Sequence, residues 1–111
     1  MNRLTIALAA AAALGLAQAA GAKGNPEHGK AKAAQVCAAC HGADGARPSA
    51  PDQPILAGQH YDYMVQALSD YKSGRRNNAV MKGFAAALSK KDIEDLAAWF
   101  ASQKSALHFQ R

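Results

Sequence analysis

Cys37-Ala38-Ala39-Cys40-His41 is the stretch on which the reading of this chain turns, and it uses both of the cysteines present in 111 residues. Two residues between the thiols let one helical turn present both sulfurs to the same edge of a planar group, and the next side chain falls beneath that group. Cys-x-x-Cys-His is the attachment signature of a covalently held haem: each thiol adds across one haem vinyl, and the His41 imidazole binds the iron as its proximal ligand. Three other uses of the thiols compete. A redox dithiol wants alternating strands and helices, and a tetrahedral zinc site wants a second Cys or His pair at short spacing. Neither pattern is present. A disulfide across two residues would close a small, strained loop of little stabilising value. The expectation is one covalent haem c with its iron, held by Cys37 and Cys40.

The N-terminus points the same way. Met1-Asn2-Arg3 is a short basic start, Leu4 to Ala17 is an apolar run, and Ala17-Gln18-Ala19 or Ala20-Gly21-Ala22 supplies the small residues that a signal peptidase needs. A bilayer span takes about 20 apolar residues, so this run is short for one. Residues 1–22 therefore read as a cleaved signal peptide and residues 23–111 as a single domain, exported to the periplasm, with no membrane span after cleavage. Haem is ligated to such apoproteins outside the cytoplasm, so the export signal and the haem motif predict each other.

Size and charge narrow the function further. Much of the 50% hydrophobic content is alanine of the leader and adds nothing to a core. A domain this small buries about 60 to 65% of its unfolded surface, which makes an all-protein core marginal. The haem would be the missing apolar centre, and the apoprotein is expected to be largely disordered. The full chain carries 13 basic and 8 acidic residues; losing Arg3 and gaining two haem propionates leaves it mildly basic. No cluster of Lys and Arg interleaved with aromatics suggests nucleic acid as a partner.

Three helices are expected, with no alternating strand pattern anywhere. The first opens at Asn25, with Pro26 in the first helical position and Glu27 at the positive end of the helix dipole, and runs to about Cys37. His41 to Gly58, with Pro48, Pro51 and Pro54, reads as an ordered loop over the proximal haem face. The second helix covers about His60 to Lys72, where Tyr63, Ala67, Leu68 and Tyr71 recur at three- and four-residue steps, and Ser73-Gly74 ends it. Arg75 to Leu88 reads as a second loop, carrying Met81. The last helix starts at Ser89 as N-cap with Asp92 three residues on, an acidic form of the capping box. Ile93, Leu96, Ala97 and Phe100 make its apolar stripe. There is no internal repeat.

A sixth ligand for the iron must come from elsewhere in the chain. Met64 lies inside an amphipathic helix, where methionine is ordinary filling. Met81 lies in the expected loop, just before Lys82-Gly83, where a thioether can reach inward and glycine lets the backbone approach. Met81 is therefore the expected axial ligand opposite His41. A soft thioether raises the reduction potential relative to two histidines. His28, His60 and His108 are read as exposed. An iron-bound histidine usually donates its other ring N–H to a carbonyl or carboxylate; the Pro54 carbonyl is the best acceptor for His41, although Pro54 reads equally well as a rigid turn.

Taken together, Gly29, the run Cys37 to Gly42, Pro54-Ile55-Leu56-Ala57-Gly58-Gln59, Tyr71-Lys72-Ser73-Gly74-Arg75, Met81, and Leu88 through Phe100 resemble the small bacterial monohaem cytochromes c of the His/Met class. They are similar also to each half of the dihaem cytochromes c. The resemblance covers nearly all of the mature chain. It implies an all-α cytochrome c fold, three main helices and ordered loops around one covalent haem. It implies that Gly29, eight residues before Cys37, lets the first and last helices cross closely with Trp99 against the crossing. It also implies that Pro54, ahead of Ile55-Leu56, holds His41 by its carbonyl and that Met81 is the distal ligand. One haem motif and one domain mean that electron transfer between two haems within the chain does not apply.

The function expected is a periplasmic electron-transfer protein that shuttles single electrons and catalyses no reaction of its own. The alternative is the haem subunit of a multi-subunit oxidoreductase, for example one oxidising a sulfur compound. A ligand-binding sensor or peroxidase is a third class and would need a labile sixth site. Lys72, Arg75, Arg76 and Lys82 flank the Met81 segment, so some of them are expected to ring the exposed haem edge; they read either as a solvated face or as a docking surface for redox protein partners with acidic surfaces.

Overall fold

Short polar residues start the first and last helices, Asn25 and Ser89, where the sequence leads one to expect them. The computed structural model describes residues 24–105; the expected signal peptide and His108 lie outside them. Helix α1 (Pro26–Val36) begins at Asn25, whose side-chain oxygen accepts from the Glu27 amide at 2.9 Å and the His28 amide at 3.2 Å. A single further turn, α2 (Ala38–His41), follows directly on Cys37. Helix α3 (Tyr61–Ser73) closes on Gly74, which takes the left-handed conformation (φ 85°) that side chains with a Cβ avoid. Helix α5 (Lys90–Ala101) carries the full capping box: Ser89 Oγ accepts from the Asp92 amide at 3.0 Å, and Asp92 accepts from the Ser89 amide at 2.9 Å. Among the described residues there is no strand.

One segment departs from the expectation. Arg75 to Leu88 reads as a loop in sequence, yet α4 (Ala79–Ala86) occupies its middle, so Met81 is helical. The reasons are local and tertiary. Asn78 caps the helix, accepting from the Met81 amide at 3.0 Å. Met81 and Ala85 fall four residues apart on one face, with Ala85 fully buried in the core. Gly83 costs such a helix about 1 kcal/mol relative to alanine, which this burial offsets.

The framework is a crossing of the first and last helices. Helix α1 lies against α5, while α3 packs on both α4 and α5. A Cβ at Gly29 would run into the carbonyl oxygen of Asp95 and stand 2.9 Å from Trp99 Cβ, so the crossing is a contact between backbones. Trp99 flanks it and donates its indole N–H to the Ala43 carbonyl at 3.2 Å. Asp95 is only 5% exposed; it accepts from the Asn25 amide at 2.7 Å and from the Lys91 ammonium at 2.6 Å. The core between α1, α3, α4 and α5 is made of Leu96 and Phe100, both fully buried, with Ala33, Met64, Leu68, Leu88 and Ile93. Its outer wall borders a cavity.

Candidate haem site

The turn after α1 sets the site. Cys37 accepts, through its carbonyl, from the Cys40 amide at 3.3 Å and the His41 amide at 3.0 Å, and its own amide donates to Ala33 at 2.9 Å. This turn brings Cys37, Cys40 and His41 to one wall of a cavity of about 490 Å³. Both thiols are free and half-buried. Burial pushes the Cys37 thiol up to about 11, so it is protonated at neutral pH, the opposite of what a redox thiolate requires. Among the described residues no three His, Cys, Asp or Glu side chains gather as a metal cluster.

His41 is 6% exposed, and its Nδ1 lies 2.9 Å from the Pro54 carbonyl oxygen. A carbonyl only accepts, so the proton resides on Nδ1 and Nε2 keeps its lone pair for a metal. The loop that offers this carbonyl is itself tied down. Ser49 donates its amide to Cys40 at 2.9 Å, Leu56 to Gly45 at 2.8 Å, and Gly58 to Phe100 at 2.9 Å. Of the two readings that the sequence leaves for Pro54, the acceptor is the one observed.

The facing walls come from α3 and α4. Met64, Leu68 and Tyr71 of α3, and Met81, Phe84 and Ala85 of α4, line the cavity. Both candidate methionines therefore border it, although Met64 is 4% exposed within the core while Met81 is half-buried at its edge. His28 and His60 are exposed and away from the lining. Of the four basic residues that flank Met81, Arg76 alone borders the cavity. Lys72 instead donates to the Leu88 carbonyl.

Volume and lining test the fit of a haem. The cavity falls in the range of small-molecule and cofactor sites, about 300–1,000 Å³. Its walls are mainly apolar, with two thiols, an imidazole and two thioethers among them. An apolar, planar, thiol-reactive group that takes a nitrogen and a sulfur ligand fits every one of these features. Of the four basic residues that the sequence sets around the haem edge, the structure brings Arg76 to the cavity. Sequence reasoning missed Asp95, which sits beside an apolar stripe, where only the unbroken helical period around it hinted at burial.

An all-helical fold around such a cavity defines a c-type haem protein, and comparison with known proteins agrees. The sequence profile of the family Cytochrome c matches residues 26–104. The chain belongs to the cytochrome c family, whose cofactor is covalently bound haem c. Cytochrome c4 of Pseudomonas aeruginosa is 47% identical over 107 residues, which cover 96% of this chain and 51% of that protein. A thiosulfate dehydrogenase electron acceptor of Stutzerimonas stutzeri is 44% identical over 83 residues, covering 74% of this chain and 38% of that one. The crystal structure of reduced recombinant cytochrome c4 from Pseudomonas stutzeri superposes with a TM-score of 0.66 at 42% identity, covering 73% of this chain and 46% of that one. The chain spans about half the length of the cytochromes c4 that it matches.

Proposed function

We propose that this chain is an exported single-electron carrier in which Cys37 and Cys40 hold one haem through thioether bonds and His41 and Met81 bind its iron from opposite sides. The observation that carries this reading is the hydrogen bond of 2.9 Å from His41 Nδ1 to the Pro54 carbonyl, made inside a cavity that both cysteines and Met81 also line. The bond fixes the ring and leaves Nε2 as the ligating atom. Met81 is favoured over Met64 because Met64 is already engaged in core packing, whereas Met81 lies at the edge. The bound haem supplies an iron that gains and loses one electron. The apolar wall keeps water from the metal, and two side-chain ligands leave no iron position for a substrate, so the chain carries electrons without catalysing a reaction.

Residues 1–22 are, on this reading, a signal peptide removed on export to the periplasm, leaving residues 23–111 as the haem domain. Among the described residues no helix is long and apolar enough to cross a membrane. The redox partners are proteins with acidic docking surfaces, met by the basic residues around α4; the bimolecular rate is then expected to fall as ionic strength rises. A second reading, the haem-bearing electron acceptor of a sulfur-compound oxidoreductase, is favoured by the likeness to a thiosulfate dehydrogenase electron acceptor. Co-purification with a larger enzyme would select it.

The test is expression of the full chain with intact export and haem-attachment machinery. Mass spectrometry is expected to find one added porphyrin on a protein lacking its leader. The ferric protein is expected to have a weak near-infrared sulfur-to-iron band that is lost in Met81→Ala and kept in Met64→Ala. Loss in Met64→Ala instead would reassign the ligand, and no added porphyrin mass would end the proposal.

A further inference from the structure

Helix α4 sets Met81 at the cavity, yet it has only 8 residues, well short of the roughly 12 to 15 at which an isolated helix becomes even marginal in water. Two of its residues pull in opposite directions. Asn78 starts the helix: its side-chain oxygen accepts from the Met81 amide at 3.0 Å, and its carbonyl accepts from the Lys82 amide at 2.8 Å. The cap is thus made to the ligand residue itself. Gly83 weakens the helix from within. Its φ is not positive, a Cβ there would meet nothing within 4 Å, and it is exposed and outside the cavity lining. Neither a turn nor a close approach in the described chain calls for glycine at this position. The segments on either side are fastened to α3. Ahead of the cap, Arg76 donates to the Tyr63 hydroxyl at 3.1 Å, and its guanidinium carbon stands 4.8 Å from the centre of the Tyr71 ring. Beyond the helix, the buried Leu88 accepts from Lys72 through its carbonyl. A short helix anchored at both ends is a unit that opens by itself.

We propose that Asn78 is the positioning residue for the distal ligand: its cap on the Met81 amide, set against the weakening glycine at position 83, fixes how often Met81 leaves the iron. The proposal rests on the reading that His41 and Met81 bind a haem in this cavity, and it assigns a role that the haem motif does not mark. When the Asn78 bond breaks, the first turn of α4 loses its hold on the Met81 backbone and the thioether withdraws with it. The sixth position is then open to a small ligand from solvent. Asn78 thereby separates a carrier with a closed sixth position from a sensor or peroxidase with a labile one. Helix α5 supplies the contrast. Ser89 caps it by the same kind of bond, but to the Asp92 amide, which belongs to no iron ligand. Losing that cap weakens the fold without freeing Met81.

The experiment is a titration of the full haem-loaded ferric chain with imidazole at neutral pH, followed by its visible spectrum, with denaturant unfolding of the same samples. The apparent affinity scales with the fraction of molecules whose sixth position is open. Losing an N-cap shifts a helix equilibrium about fivefold, so Asn78→Ala is expected to bind imidazole about fivefold more tightly. Asn78→Ser, which keeps an accepting oxygen, should stay near the wild type. Gly83→Ala removes the helix weakness and is expected to bind about fivefold more weakly. Ser89→Ala should unfold at lower denaturant with its imidazole affinity unchanged. Because position 83 is exposed and has room for a methyl, Gly83→Ala serves even if Asn78→Ala folds poorly. Unchanged affinity in either Asn78→Ala or Gly83→Ala, or an equal rise in Ser89→Ala, would overturn the assignment. Met81→Ala lacks the competing thioether and should bind far more tightly than any of these. An affinity in Met81→Ala equal to that of the wild type, or no added porphyrin mass, would instead mark a failure of the ligand reading on which the proposal rests.

Discussion

The crossing of α1 with α5 and the wall formed by α3 with α4 solve different problems. At the crossing, chain meets chain: the Gly29 backbone lies on that of α5, Asp95 joins Asn25 to Lys91, and Ser89 and Asp92 close the end of α5 on each other. At the wall, the chain meets a space. Helix α4 lines that space with Val80, Met81, Phe84 and Ala85, of which Val80 stays 64% and Phe84 46% exposed, and it is tied by its Asn78 cap and its packing on α3. The crossing is closed by contacts of the protein with itself. The wall borders the space that a haem would fill. A small electron-transfer domain built this way uses one pair of helices to place Cys37 and His41 and the other to face them across the cavity.

Replacing both attachment thiols, as in Cys37→Ala with Cys40→Ala, should give the largest effect and the sharpest contrast between the two halves. Cooperative thermal melting followed by circular dichroism is expected to vanish, with helical signal falling to a minor residue from the α1 and α5 segments. Native-like helicity with a cooperative melt would mean that the wall stands without its filler. Next comes the crossing itself. Gly29→Ala drives a methyl into the Asp95 carbonyl and is expected to destabilise the haem-loaded protein by about 3 kcal/mol, the upper end for overpacking, as read from denaturant unfolding. A neutral result would mean that α1 and α5 stand further apart than described.

Asp95 gives the crossing a pH dependence of its own. Burial works against its charge, but the Lys91 ammonium and the Asn25 amide outweigh that and hold its carboxyl below the usual carboxylate range. A depressed folded-state value stabilises fully above the unfolded value, about 3.9. That stability is lost as pH falls through the lower folded value. Asp95→Asn is therefore expected to cost about 1–3 kcal/mol at neutral pH and to lose part of the wild type's sensitivity below about pH 4. Equal acid profiles for the two proteins would show that the crossing is not the acid-labile region. The smallest effect belongs to the cap: Ser89→Ala should lower stability by about 1 kcal/mol and leave the haem spectrum unchanged.

Local rules were sufficient wherever a residue's neighbours in sequence are also its physical partners. The caps at Asn25 and Ser89, the stop at Gly74 and the turn from Cys37 to His41 are all contacts over four residues or fewer, and the sequence alone determines them. So does the haem motif, because its spacing is its chemistry. The resemblance to known cytochromes c supplied Gly29 against Trp99 and raised Pro54 to the acceptor for His41, both contacts across many residues that no local pattern contains. Tertiary structure decided most of the rest. With the local Asn78 cap it made α4 a helix, because burial of Ala85 and a shared cavity outweigh a glycine in the middle and a loop-like composition. It seated Asp95 beneath Asn25, 70 residues away, and brought Arg76 to the cavity beside Tyr63 and Tyr71. These placements depend on which surfaces close on one another, and the free energy of that closure resides in the assembled fold rather than in any window of the chain.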